Sequence, residues 1–302
     1  MSSIVRSKPD DRVIYHYCDT NALLSILTNN KLWYTHAAYL NDTMEITRGV
    51  DICRSVIEGQ LKSTDDPVLQ NAKSYLQNAE KWQYYICCFS EAKDRLSQWR
   101  SYASDGDGFA IGFSSTELSV GIDDPFEGRL NTVQYEDDLL QKTIEELVGR
   151  FATTAHEFPD GTTDEAKDFS YENSGARLGD LLIDKSVFVK DKGFAEEEEW
   201  RSVRSYKLRD IETDHAKVAS EDANHFDDIL HDLQHKLNER RNVRSGRFGL
   251  TPYIEVSFRP NSIREIVCGP KTSKKLTESS LEILKKKLGL EFRVSRSTVT
   301  YR

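Results

Sequence analysis

The chain has 302 residues, with 41 Lys or Arg against 50 Asp or Glu, so its formal net charge is -9 at pH 7. This acidic balance disfavours a protein that coats DNA, because such a protein needs positive charge to neutralise phosphates. The longest apolar stretch, 84–89, is far shorter than the roughly 18 residues that a membrane-spanning helix requires. The first dozen residues lack the apolar run of a signal peptide, which predicts a cytoplasmic protein.

The five cysteines are scattered along the chain, and no two have the spacing C-x-x-C. An odd and scattered set of this kind is typical of a reduced protein. We therefore expect neither a disulfide framework nor a zinc site.

The predicted elements, in chain order, mix short strands with helices. Runs of β-forming residues predict strands over 13–17, 31–35, 83–90, 109–113, 130–135, 199–208, 253–258, 263–268 and 292–301. Helical spacing of apolar residues predicts helices over 21–27, 44–60, 66–80, 97–103, 138–151, 177–184, 210–241 and 275–288. Because strands and helices do not alternate regularly, we expect an α+β fold, with a mixed or mainly antiparallel sheet core and flanking helices.

The domain organisation is expected to be simple. No internal repeat is visible, and 1–302 reads as a single domain. The polar segment at about 152–175 contains Pro159, Gly161 and Gly175, which predicts a surface loop. A narrow apolar stripe within polar sequence predicts a helical insertion at about 209–247.

Two short motifs resemble known sites but lack a required feature. The glycines within 105–108 precede a predicted strand, whereas a dinucleotide-binding turn follows a strand and opens a helix, so a tight turn is favoured. His231 and His235 share a helix face, but Asp232 stands where a metalloprotease helix has Glu. A solvated helix face is therefore favoured for these histidines.

A short cationic run lies near the end of the predicted insertion and consists of Lys236, Arg240, Arg241, Arg244 and Arg247. Cations at a helix C-terminus are stabilised by the helix dipole alone. Contact with a nucleic acid is the alternative for this run.

Four adjacent carboxylates at 196–199 precede Trp200 and Arg201. In a strand, Glu197, Glu199 and Arg201 would share one face. Paired carboxylates of this kind can act as a base or stabilise a cationic transition state, and a solvated turn is the alternative. His16, in the first predicted strand, is a second candidate polar group, with a structural hydrogen bond as its alternative role.

The order of several sequence blocks resembles a bacterial family, domain of unknown function 2971. The blocks are YHYCDTNALLSIL (15–27), LWYTH (32–36), NDTME (41–45), CCFS (87–90), LSQWRSYA (96–103), GDGFAIGF (106–113), VQY (133–135), KDKGFAEEEEWR (190–201) and IREIVCGP (263–270). The chain departs from the family pattern at Thr43, where proline is usual, and in the polar segments at 152–175 and 209–247.

More loosely, the layout is similar to the ADP-ribosyltransferase fold, in which a first strand supplies His or Arg, a second Tyr or Ser, and a late strand Glu. This resemblance implies His16 for the first position, Tyr34 or Thr35 for the second, and Glu199 for the third, with Glu197 two residues before it. NAD would then be the substrate.

The resemblance also implies roles for these side chains. Glu199 would stabilise the positive charge on the ribose as nicotinamide leaves, Tyr34 would stack on the nicotinamide, and His16 would hold the adenosine ribose. Arg100 or Arg201 would pair with the pyrophosphate. The remaining cofactor-binding candidates are Tyr17, Thr35 and Trp99.

The resulting hypothesis is an ADP-ribosyltransferase-like enzyme of the bacterial cytosol that modifies a protein or nucleic acid, as a toxin or phage-defence effector. One alternative is a non-enzymatic nucleotide- or partner-binding module that uses His16, Trp99 and Arg100. Another is a Mg²⁺-dependent nuclease or hydrolase that uses Asp42, Glu45 and the carboxylates at 196–199.

Overall fold

A computed structural model describes residues 11–40, 45–77, 82–119, 128–154, 158–207, 239–246 and 249–301. The strands are β1 (Val13–Cys18), β2 (Lys31–His36), β3 (Trp82–Ser90), β4 (Phe109–Ser114), β5 (Gly128–Thr132), β6 (Glu199–Lys207), β7 (Arg241–Gly246), β8 (Gly249–Ser257), β9 (Ile263–Cys268) and β10 (Arg293–Arg296). The helices are α1 (Thr20–Asn29), α2 (Glu45–Leu61), α3 (Pro67–Gln77), α4 (Leu96–Tyr102), α5 (Ser115–Ser119), α6 (Asp137–Thr154), α7 (Asp164–Ser186) and α8 (Lys274–Leu288).

One branched sheet organises these elements. Its main strand order is β10-β9-β4-β1-β3-β2-β8-β7, while β6 pairs with the other edge of β3 and β5 pairs with β6. The strand pairs are antiparallel except for β9 with β10. The predicted α+β class with a mainly antiparallel sheet is thus confirmed. None of the helices in the described ranges is long and apolar enough to span a membrane.

Helices cover both faces of the sheet. On one face, α1 and α8 pack on an apolar cluster that contains Cys87 and Phe89 of β3. On the other face, α2, α3, α6 and α7 pack on a cluster that contains Ile86, with Cys88 against it. Neighbouring strand residues therefore face opposite layers, as expected from the alternation of side chains along a strand.

The segment 152–175 contains a helix where the composition predicted a loop. Thr163 caps α7 by accepting a hydrogen bond from the backbone N–H of Ala166, and the helix continues to Ser186. Gly175 lies against Asn71 and Val68 of α3, where a Cβ would lie 2.4 Å from the Cβ of Asn71. This glycine permits close helix packing instead of marking a turn, so the loop prediction is wrong from residue 164 onward.

Two other predictions on the C-terminal third need revision. Most of the predicted insertion, 208–238, lies outside the described residues, but Arg241–Gly246 forms β7 and pairs with β8, so the insertion does not extend to 247 as a helix. The last strand ends at Arg296, and the chain then turns so that Ser297 and Thr298 donate hydrogen bonds to Asp94.

Candidate functional site

The sheet opens beside the middle of β3. On one edge, β3 pairs with β6 along its whole length. On the other edge it meets β2 at Tyr85 and Ile86 and meets β1 only at Ser90. Between those contacts, residues 87–89 pair with neither strand, although all three strands lie within the described ranges. The divergence of β1 and β2 from β3 therefore leaves a gap in the sheet.

A cavity of about 280 Å³, here called the central pocket, occupies this gap. Its walls include 15–17 of β1, Trp33 and Thr35 of β2, 86–89 of β3, and part of α1. Since Cys87 and Cys88 belong to opposite faces of the sheet, side chains from both faces reach this pocket. Small-molecule sites are commonly concave and mostly apolar, with a few convergent polar groups, and this pocket has that character.

His16 spans the gap. Its Nδ1 lies 3.0 Å from the carbonyl oxygen of Cys88. Because a carbonyl oxygen only accepts, Nδ1 carries the proton, and Nε2 holds a lone pair in the neutral ring. Burial lowers the pKa of His16, and the positive charge of Arg244 adds to this effect, against the raising effect of the Cys88 carbonyl. The ring is therefore neutral near pH 7.

Glu199 and Arg201 form a buried, forked ion pair on β6. Arg201 donates from Nε to Oε1 of Glu199 at 2.8 Å and from Nη2 to Oε2 at 3.2 Å. The two residues are 5% and 1% exposed. Burial by itself raises the pKa of Glu199, but the charges of Arg201 and Lys190 and the Cys88 thiol together lower it to about 2. The carboxylate therefore stays ionised throughout the physiological pH range.

Lys190 joins the two candidate carboxylates. Its Nζ lies 2.6 Å from Oε2 of Glu197 and 3.0 Å from Oε2 of Glu199. Glu197 ends a 3₁₀ turn, Lys192–Glu197, and Glu198 has a left-handed backbone, so Glu197 precedes the strand and does not share a strand face with Glu199. The two carboxylates nevertheless both line the central pocket, because they share this one ammonium group.

The remaining walls are aromatic and cationic. Trp33 is 40% exposed, and the guanidinium of Arg244 lies over its ring, 5.7 Å from the centroid. Arg244 also donates from Nη2 to Oγ1 of Thr35 at 2.9 Å. From α4, Tyr102 donates its hydroxyl hydrogen to Oε1 of Glu197 at 3.1 Å.

The predicted site residues fall into two groups. Those that line the central pocket are His16, Tyr17, Thr35, Glu197, Glu199 and Arg201. Tyr34, Trp99 and Arg100 do not line it.

The three residues outside the pocket have other surroundings. Tyr34 points into the apolar layer under α1 and donates its hydroxyl hydrogen to Ser202. Trp99 is fully buried and donates its Nε1–H to Asp94. The side chain of Arg100 is 62% exposed, and its Nε lies 3.9 Å from a carboxylate oxygen of Asp105. None of the three is positioned to contact a ligand in this pocket.

Arg201 lines the pocket, but its donors are already used. Besides the two hydrogen bonds to Glu199, Nη1 donates to the carbonyl oxygens of Val187 and Val189. Its role in this geometry is to hold Glu199 in place. A pyrophosphate would have to displace these buried partners in order to bind it.

The other candidate motifs do not add to the site. The glycines at 105–108 form a turn that feeds β4, as the sequence favoured, and Asp105 accepts hydrogen bonds from Lys271 and Tyr301. His231, His235 and Asp42 lie outside the described residues, as does the side chain of Glu45. Within the described part of the chain, no three His, Cys, Asp or Glu side chains are grouped to hold a metal ion.

Sequence reasoning missed Lys190, Trp33 and Arg244 as pocket residues. Lys190 begins the sequence block 190–201, which also contains the carboxylates and Arg201. The sequence alone could therefore have indicated that Lys190 lies near the carboxylates. Trp33 stands beside Tyr34, and only the pairing of β2 decides which of the two faces the gap. The sequence predicted that Arg244 lies near the end of a helix. It lies on β7 instead, and its side chain reaches Thr35 of β2.

Comparison with known protein families gives a match to part of the chain. Residues 98–202 match the model of a family described as Protein of unknown function (DUF2971). This region begins within α4 and ends within β6, and it contributes Lys190, Glu197, Glu199 and Arg201 to the central pocket. The sequence blocks before residue 98 and after residue 202 lie outside the matched range. No curated protein and no solved structure matches the chain.

Proposed function

We propose that the central pocket binds NAD and that the protein is an ADP-ribosyltransferase-like enzyme. The observation that carries this proposal is that Glu199, buried and ionised, lines the same pocket as His16, although 183 positions separate them in the sequence. Carboxylates held in this way stabilise positive charge that develops in a transition state.

The reaction has a simple electron balance. The bond between C1′ of the ribose and the nicotinamide nitrogen breaks, and its electron pair leaves with neutral nicotinamide. The sugar carries positive charge until a nucleophile of the acceptor, a protein or nucleic acid, bonds to C1′ and loses its proton. With a pKa of about 2, Glu199 is too weak a base to take that proton at neutral pH. Its role is electrostatic.

The other pocket residues support the same substrate. Nε2 of His16 has no hydrogen-bond partner within the described ranges and can accept from a ribose hydroxyl. Trp33, exposed at the pocket wall with the guanidinium of Arg244 over its ring, is the β2 aromatic residue of the pocket in place of Tyr34. Glu197 provides a second carboxylate 2.6 Å from Lys190, within the same group of charges.

The test measures release of nicotinamide from NAD labelled in the nicotinamide ring. The full chain is assayed in buffer, where water is the acceptor, and with dialysed, heat-treated bacterial protein and RNA. We expect release by the wild type, and release unchanged by EDTA. Loss of release in EDTA would instead support the metal-dependent alternative.

Glu199→Asp is the informative variant, because it keeps the negative charge that Arg201 and Lys190 require but withdraws it by one methylene. We expect nicotinamide release to fall by about 100-fold. Asp66→Glu is the matched control, since Asp66 is also a buried carboxylate that accepts two hydrogen bonds, and neither it nor its partners Val68 and Leu69 line the pocket. Thermal melting shows that each variant is folded.

Two results would overturn the proposal. Equal release by folded Glu199→Asp and by wild type removes the role assigned to Glu199. Binding of NAD by the wild type without any release, with or without acceptors, favours the nucleotide-binding module.

A further inference from the structure

The charges that line the central pocket do not all pair with one another. Among the residues that the structure describes, the lining contains two carboxylates, Glu197 and Glu199, and three cations, Lys190, Arg201 and Arg244. Lys190 binds both carboxylates, and Arg201 binds Glu199. Arg244 has no carboxylate partner within the described ranges, so it is the surplus cation of the pocket.

The surroundings of Arg244 leave part of its guanidinium unsatisfied. Nη2 donates to Thr35, and the group lies over the ring of Trp33. Nε is inaccessible to solvent and has no hydrogen-bond partner in the described part of the chain. Buried polar atoms normally have partners, and an unpaired cation in an apolar wall is costly. An anion bound beside Trp33 would compensate the charge through the terminal nitrogens of the guanidinium, whereas Nε itself stays out of reach of solvent.

The location of Arg244 separates it from the carboxylates. Thr35 and Trp33 lie on β2, which meets one edge of β3, whereas Glu199 lies on β6, which pairs with the opposite edge. The pocket therefore has an uncompensated cation on the β2 side and, on the β6 side, a charge-balanced group that presents the carboxylate of Glu199. A ligand that has an anion at one point and developing positive charge at another matches this polarity.

We propose that Arg244, Trp33 and Thr35 form a subsite for the diphosphate of a nucleotide. This inference rests on the proposed function for the identity of the whole ligand, but the subsite itself requires only a phosphorylated ligand. The planar guanidinium matches two phosphate oxygens, and Trp33 holds it in place from below. Arg244 thus takes the role that sequence reasoning gave to Arg100 or Arg201.

Isothermal titration of the full chain with inorganic pyrophosphate, ADP and adenosine tests the subsite. Arg244→Gln should weaken binding of pyrophosphate and ADP about tenfold or more and leave adenosine unaffected. Arg244→Lys, which keeps the charge but not the fork, should have intermediate affinity. Arg241→Gln is the matched control, because it removes the same charge from the same strand and Arg241 bonds Tyr85 instead of lining the pocket.

The outcomes separate the subsite from the proposed reaction. Three results would each overturn the subsite. The first is equal affinity of Arg244→Gln and wild type for ADP, and the second is an equal loss of affinity in Arg241→Gln and Arg244→Gln. The third is a wild type that binds neither pyrophosphate nor ADP. If ADP binding depends on Arg244 while the wild type releases no nicotinamide, the subsite stands and the transferase proposal fails. If nicotinamide is released and ADP binds Arg244→Gln as tightly as the wild type, the transferase proposal stands and the subsite fails.

Discussion

His16 donates a hydrogen bond from Nδ1 to the carbonyl oxygen of Cys88, 3.0 Å away, across a gap where β1 has separated from β3. The carbonyl would otherwise pair with a neighbouring strand, so the imidazole replaces a missing backbone donor. The same bond fixes the tautomer of the ring. His16 is therefore a structural link across the gap as well as a wall of the central pocket.

The first prediction concerns the effect of pH on stability. The unfolded state binds a proton at His16 near the ordinary pKa of about 6.5, whereas burial lowers the pKa of the folded state. Around and below that ordinary value, the unfolded chain binds more protons at His16 than the folded chain does. The free energy of unfolding therefore falls as the pH is lowered from 7 towards the folded-state pKa.

His16→Gln keeps a side-chain donor for the Cys88 carbonyl but cannot titrate. We expect it to lose less stability than the wild type between pH 7 and 5.5, measured by urea denaturation at both pH values. His36, whose pKa burial also lowers, contributes equally to both proteins. Parallel pH profiles, or an imidazole resonance of His16 that titrates at or above 6.5, would contradict this prediction.

The second prediction concerns the ion pair between Glu199 and Arg201. Glu199→Gln leaves the buried charge of Arg201 uncompensated and should lower the free energy of unfolding by about 3–5 kcal/mol at pH 7. Arg201→Met leaves Glu199 with Lys190 as its cation and should lower it by less. The double variant should lose much less than the sum. Urea denaturation of the four proteins gives the coupling energy.

The exposed pair Arg12–Glu91 is the control for this cycle, with an expected coupling of about 0–1 kcal/mol. Because the pKa of Glu199 is about 2 in the folded chain against an ordinary 4.5, its stabilisation is complete above pH 4.5 and is lost as the pH falls through 2. Additive losses in the double variant would show that the pair is not coupled.

The third prediction concerns the packing of α7 on α3. A Cβ at Gly175 would lie 2.4 Å from the Cβ of Asn71, and one at Gly179 would lie 2.3 Å from Cδ1 of Tyr75. Gly175→Ala and Gly179→Ala should therefore destabilise the fold by about 1–3 kcal/mol, although alanine is the better helix former.

Gly59→Ala is the matched control within α2, since a Cβ there meets nothing within 4 Å in the part of the chain that the structure describes. We expect it to raise stability by about 0.5–1 kcal/mol. Thermal and urea denaturation compare the three variants. A stabilising effect of alanine at 175 would mean that α3 and α7 are not in close contact.

Much of the local structure could be predicted because it depends on neighbouring residues. The β-forming run before Asp19, the capping carboxylate and the apolar face after it determine β1 and α1, and Asp19 accepts from the N–H of Ala22 as the capping pattern requires. The wrong predictions fall on segments whose composition is compatible with two different structures. Polar residues with Gly175 are typical of a loop, but a glycine in a helix can also mark a close contact with another helix, and only the packing of α3 distinguishes the two.

Only part of the candidate site could be predicted from the sequence, for a similar reason. The types of its residues, a histidine in the first strand and carboxylates before Arg201, are visible along the chain. Which side chains share the pocket depends on pairing between distant strands. The register of β2 with β8 and β3 turns Trp33 to the gap and Tyr34 to the apolar layer, and β7 brings Arg244 to β2.

The sequence by itself determined the class of the fold, most of its strands and helices, and the pairing of an acid with a histidine as candidates. These features follow from propensities and periodicities over a few residues. Only the tertiary structure decided that β1 and β2 diverge from β3 and that a pocket forms between them. It also decided that one guanidinium in this pocket, that of Arg244, lacks a counter-charge among the described residues. Those properties arise from contacts between residues tens to hundreds of positions apart, which no local pattern specifies.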